Sequence, residues 1–198
     1  IVRRRWIAHM IANLLLLLTA AIWGFGFVAQ ILGMNYLEPF AFIGARFVLG
    51  ALSLLPVIWY LQRQEITAGP GIGYLIYASC VLGTILFAAS SFQQVGLLYT
   101  TASNAGFITG MYMVFVPIFG LMLGMATGLV TWLGCIVAAT GLFMLGVNDR
   151  YEMGYGDLLQ LAGAGIWAVH ILAIDHFTKY APGVQLACGQ FVVCAALG

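Results

Sequence analysis

Charged side chains are nearly missing from this chain. Seven Lys and Arg and six Asp and Glu make up 7% of its 198 residues, where soluble domains carry roughly 25%. Hydrophobic residues reach 63%. An ordinary soluble domain is excluded, and a polytopic membrane protein is expected. Hydrocarbon demands that each backbone polar group be satisfied within its own segment, so apolar runs of spanning length read as helices. The net charge of +1 says nothing about nucleic acid, but no basic patch exists beyond Arg3-Arg4-Arg5, so no nucleic-acid partner is expected. That triplet reads as a cytoplasmic flank. The four cysteines (Cys80, Cys135, Cys188, Cys194) lie in apolar runs, and their spacing fits neither a disulfide framework nor a zinc motif. No cluster of His, Asp and Glu and no Ser-His pair is placed at membrane depth, so no catalytic centre, metal or cofactor is expected. The first apolar run is too long for a signal peptide and lacks a small-residue cleavage site. The chain starts at Ile1 and stops at Leu197-Gly198 inside an apolar run. It therefore reads as a fragment, which is expected to transport nothing alone.

Apolar runs dominate what is present. Spanning helices are predicted over about Met10–Gly33, Pro39–Leu61, Ile72–Leu98, Ala102–Leu123, Leu129–Val147 and Asp157–Thr178, and a seventh starts near Val184. Each long run can cross a hydrocarbon core of about 30 Å. Thr67–Gly71 and Asn148–Glu152 read as loops. Thr100, Thr101 and Ser103 are candidate N-caps for the fourth helix, and Pro117 is expected to kink it. Gly106-x-x-x-Gly110 and Gly120-x-x-x-Gly124 read as close-packing signals. With the N-terminus inside, the inner flanks hold Arg3, Arg4, Arg5, Arg63 and Lys179 and the outer ones Arg150 alone. That bias predicts a cytoplasmic N-terminus.

Arg46 lies about two turns into the second run, Pro39–Leu61. An Arg near a bilayer centre costs roughly 2.5 to 3.5 kcal/mol on insertion scales. No carboxylate in the sequence is placed at the same depth; Glu38 and Asp175 sit near membrane edges. Arg46 therefore faces a cavity and an anionic ligand group, or else reaches helix-end carbonyls or headgroups.

Sliding the chain on itself by 144 residues aligns the first two helices with the sixth and seventh. Eleven of the forty-four pairs from Ile11 to Leu54 are identical, including Ile22-Trp23 with Ile166-Trp167 and Phe47-Val48 with Phe191-Val192. At this offset Arg46 meets Gln190 and Gly26 meets His170. A repeat of five helices is odd, so the second copy enters the membrane inverted. The domains expected are a first repeat over 10–147, a connecting loop over 148–156 and the start of a second repeat over 157–198. The complete protein would hold ten helices in about 290 residues.

The order of motifs resembles the EamA family of the drug/metabolite transporter superfamily. They are Ala21-Ile22-Trp23-Gly24, Pro39 followed by Arg46-Phe47, Gln94-x-Gly96-Leu97-x-Tyr99-Thr100-Thr101-Ala102-x-Asn104-Ala105-Gly106, Pro117, Trp132-Leu133-Gly134, and Ala138-Ala139-Thr140-Gly141. The turn Gly124–Gly128 departs from the family pattern, which has Gly-Glu and a basic residue there. The resemblance implies two five-helix bundles and export or exchange of small metabolites across the inner (plasma) membrane of a bacterium.

Candidate substrate-binding residues are Arg46, Trp23, Gln93, Gln94, Asn104 and His170. His170 is a proton relay or a packed histidine. Trp23 stacks a planar substrate or is core packing, since Trp167 occupies the matching place in the other copy. Gln93, Gln94 and Asn104 line a cavity or bond between helices. Tyr77, Thr84 and Ser91 share one helix face and read as packing. The function expected is a secondary transporter for a small organic metabolite such as an amino acid, working by alternating access within the lipid bilayer. A membrane-embedded enzyme and a non-transporting membrane subunit are the alternatives. A cation-type multidrug exporter is disfavoured, because the first helix holds no Asp or Glu.

Overall fold

The computed structural model describes residues 2–63, 71–146 and 154–198. The loops predicted at 67–71 and 148–152 lie outside these residues except for Gly71, as do the side chains of the Arg3-Arg4-Arg5 flank. Every described element is a helix: α1 (Val2–Gly33), α2 (Pro39–Arg63), α3 (Ile72–Gly96), α4 (Ala102–Gly110), α5 (Tyr112–Met122), α6 (Leu129–Gly146), α7 (Tyr155–Thr178) and α8 (Gly183–Leu197). Five spans are long and apolar enough to cross a membrane: Met10–Gly33, Pro39–Leu61, Ile72–Gly96, Ala102–Met122 and Tyr155–Thr178. The chain is an all-α polytopic membrane protein.

The fourth span is interrupted at Met111, between α4 and α5. Gly110, a weak helix former, stands directly before the break. Pro117 lies inside α5. Without an N–H it frees the carbonyl of Met113, four residues earlier. The Cys135 thiol of α6 donates to that carbonyl at 3.5 Å. Pro117 thus opens an acceptor for a neighbouring helix.

The glycine spacings need correction. Gly124 has φ +77° and no atom within 4 Å of an added Cβ, so it packs against nothing. The Met125 N–H bonds the Gly120 carbonyl at 2.9 Å and the Gly124 N–H bonds that of Leu121 at 2.9 Å. This left-handed glycine cap stops α5. Close packing occurs at other glycines. A Cβ on Gly83 of α3 would lie 2.5 Å from Val193 of α8, and one on Gly156 of α7 would lie 2.8 Å from the Gly96 carbonyl.

Those approaches make α3 the centre of the bundle. It runs antiparallel to α7, with Gly96 against Gly156 at one end and Tyr74 against Phe177 at the other. It runs parallel to α8, with Ser79 against Gly189 and Gly83 against Val193. On its far side α8 packs antiparallel on α2, where Gly50 meets Phe191 and Gly44 meets Ala195. α2 starts at Pro39 and α8 at Gly183, 144 positions later.

Among the described side chains of α1, the buried ones are Phe27 and Gln30, in its C-terminal half. Leu14 to Leu18 are each more than half exposed, as suits a face turned to lipid. Tyr77 and Thr84 are exposed too, and Ser91 half-buried. Thr84 and Ser91 satisfy their hydroxyls on the carbonyls of Cys80 and Phe87, one turn back. This face of α3 therefore lies outside the buried core.

Candidate functional site

A cavity of about 580 Å³ lies between α1, α2, α3, α5, α7 and α8. α1 supplies Trp23, Gly26, Phe27 and Gln30, and α2 supplies Arg46, Phe47 and Gly50. α3 gives Leu86 and Gln93, α5 gives Tyr112, α7 gives Trp167, His170, Ile171 and Ile174, and α8 gives Phe191. Its walls are aromatic and aliphatic. Its polar groups are few and fixed, as is usual in small-molecule sites.

One chain of hydrogen bonds orders the polar wall. The Trp167 indole N–H donates to Gln93 Oε1 at 3.1 Å. Gln93 Nε2 donates to Gln30 Oε1 at 3.0 Å. Gln30 Nε2 donates in turn to the Gly26 carbonyl at 3.0 Å. Behind this wall, Gln160 Nε2 donates to the Gln93 main-chain carbonyl at 2.9 Å, and Thr109 Oγ1 donates to Gln160 Oε1 at 3.2 Å. Helices α1, α3, α4 and α7 are thereby tied together by groups that hydrocarbon could not satisfy. His170 is buried, with Nε2 2.8 Å from Gln190 Oε1 and its ring edge-on to Trp167.

Arg46 differs from all of these. It lines the cavity, with Cζ 4.7 Å from the centroid of the Phe47 ring. Among the described residues it has neither a hydrogen bond nor an ion pair; the only ion pair joins Lys179 to Asp175 at 2.8 Å, at an exposed helix end. Arg46 thus brings a planar cation with five donors to an otherwise aromatic space.

Of the residues singled out from sequence, Arg46, Trp23, Gln93 and His170 come together in this cavity. Gln94 and Asn104 do not. One residue on from Gln93, Gln94 turns about 100° away around the helix. It is fully buried, and its amide, like the Ser90 hydroxyl, has no partner among the described residues. Asn104 sits in the first turn of α4, where its N–H bonds the capping Thr101 Oγ1 at 3.2 Å. Thr100, another candidate cap, instead donates to Asp157 Oδ1 of α7 at 2.6 Å. Sequence reasoning missed Gln30, Tyr112 and Gln160. Gln30 carried a usable signal: an amide two turns after Trp23 in an otherwise apolar run.

The cavity also lies between residues that correspond across the 144-residue offset. Trp23 and Trp167 meet edge-on at 5.8 Å between centroids, and Phe47 and Phe191 meet at 5.3 Å. A residue touches its own counterpart only beside an axis relating the two segments. Further contacts are reciprocated. Cys188 Sγ lies 3.8 Å from the Ala51 carbonyl, and an added Cβ on its counterpart Gly44 would lie 3.6 Å from the Ala195 carbonyl.

Comparison with known proteins finds relatives along most of the chain. Two proteins of Archaeoglobus fulgidus, each described as an uncharacterized transporter, are similar. One is 31% identical over 196 residues, covering 93% of this chain and 55% of its own length. The other is 30% identical over 176 residues, covering 85% and 59%. The chain thus spans somewhat more than half the length of these relatives. No solved structure matches. The model of the EamA-like transporter family matches residues 10–147, and the chain belongs to that family.

Proposed function

We propose that this chain forms the substrate cavity of a secondary carrier that moves a small carboxylate-bearing metabolite, amino-acid-like in size, by alternating access. The carrying observation is Arg46, a cation lining an aromatic cavity without an anionic partner among the described residues. A charge at this depth is retained at a cost, and a substrate carboxylate would offset it. Trp23, Trp167, Phe47 and Phe191 would hold the apolar body of the substrate.

In this reading residues 10–147 are one five-helix copy and 157–198 open a second, inverted copy. The contacts between counterparts and the antiparallel run of α2 and α8 support it. The carrier sits in the cytoplasmic membrane with its N-terminus inside. Arg63 and Lys179 end helices at the same end of the bundle, where α3 starts.

Counterflow in proteoliposomes tests the function. Protein with both copies is loaded with unlabelled amino acids or other small carboxylates and offered a labelled one. Saturable exchange inhibited by carboxylates is the expected result. Exchange only of cations or neutral compounds would overturn the reading.

A further inference from the structure

His170 and Gln190 form a closed pair, 2.8 Å apart, against one side of the cavity. The counterparts of these residues 144 positions earlier are Gly26 and Arg46, and both line the cavity. By the 144-residue correspondence, Gly26 and Arg46 hold in the first copy the positions that His170 and Gln190 hold in the second. Gly26 has no side chain to complete the pair. A Cβ added there would meet only Gln30 Nε2, at 4.0 Å, so the space is open. Gln30 Nε2 gives one hydrogen to the Gly26 carbonyl at 3.0 Å, and its second has no acceptor among the described residues.

We infer that the volume over Gly26 is an anion seat, in which a ligand carboxylate takes the place that the His170 ring fills in the other copy. Arg46 supplies the charge and Gln30 Nε2 a second donor. Glycine at position 26 determines specificity by leaving the space free. The ligand class that fits is a small arylalkyl or branched alkyl carboxylate, its acid group at Gly26 and its apolar body against Trp23 and Trp167. Trp23 and Gly26 are one turn apart on α1, so body and head are held by one helix face. This inference rests on the carboxylate reading above and adds where the carboxylate lies.

Calorimetric titration of the protein in lipid nanodiscs with phenylacetate and with phenylacetamide tests it. The wild type should bind the acid at least about tenfold more tightly than the amide, the discrimination one charge-assisted hydrogen bond gives. Gly26→His should lose that preference and at least about tenfold of phenylacetate affinity. Gly26→Ala, with room for its methyl, should keep the fold and lose affinity by a smaller factor. The double variant Gly26→His, Arg46→Gln rebuilds the His170–Gln190 pair in the first copy. It should bind neither probe, yet melt no lower than Gly26→His. If Arg46→Gln loses the preference while Gly26→His and Gly26→Ala keep wild-type binding, the carboxylate reading stands and the seat over Gly26 is wrong. If the wild type itself does not prefer the acid, both are wrong. Should Gly26→His fail to fold, Gly26→Ala and Gly26→Ser decide: unchanged phenylacetate affinity in both overturns the seat.

Discussion

One side chain, Gln93, joins three helices through both ends of its amide and its main-chain carbonyl. Its Oε1 depends on the Trp167 indole. Trp167→Phe keeps a ring in place but removes that donor. The expected cost is about 1 kcal/mol, within the range of interhelical hydrogen bonds in membranes, read as a lowered melting temperature in detergent. In the proposed carrier Arg46 acts by charge. Arg46→Gln should weaken carboxylate binding by roughly 10- to 150-fold with expression largely kept, since a charge-assisted bond contributes about 1.5 to 3 kcal/mol. Arg46→Lys should recover only part, lacking the planar fork. Unchanged affinity in Arg46→Gln would remove Arg46 from the site. Arg46 was legible in the sequence because a lone cation in an apolar run has few explanations. Gln160 was not, because its partners lie 51 and 67 residues away. No local pattern encodes such a contact.

Helices were the most legible elements, since length and hydropathy alone demand them. Their interruptions were less so. Pro117 reads as a kink from sequence, whereas the interruption at Met111 after Gly110 carries no such signal. Glycine roles also escaped spacing, because only the neighbouring backbone shows whether a glycine caps or packs. Two substitutions separate the roles. Gly124→Ala forces a side chain into a left-handed backbone, at about 1 to 2 kcal/mol, whereas Gly124→Asn should cost less. Gly83→Ala pushes a methyl to within 2.5 Å of Val193 and 2.9 Å of the Gln190 carbonyl. It should lower thermal stability, and Val193→Ala should restore only part, because the carbonyl stays. Melting curves in one detergent would rank the four variants; full rescue by Val193→Ala would mean that the backbone contact is slack.

At the scale of the whole molecule, orientation is the first thing to measure. Single cysteines at Lys179 and Arg150, in a background with the native cysteines replaced, can be treated with an impermeant thiol reagent on intact cells. Arg150→Cys should label from outside and Lys179→Cys only after permeabilisation; the reverse pattern would invert the topology. The 144-residue correspondence was visible because tryptophan is rare and recurs in register. Which of the corresponding residues touch was not visible, because that depends on where the axis passes. The touching pairs Trp23–Trp167 and Phe47–Phe191 carry a kinematic consequence. When two inverted copies trade conformations, any contact between non-equivalent residues is replaced by its image. A contact between equivalent residues is its own image and survives the trade. In the proposed alternating-access cycle Trp23 and Trp167 would therefore act as a fulcrum, fixed in separation while the two copies rock about it. Spin labels at the pair 23/167 should report one distance in both access states, whereas a pair such as 46/170 should report two.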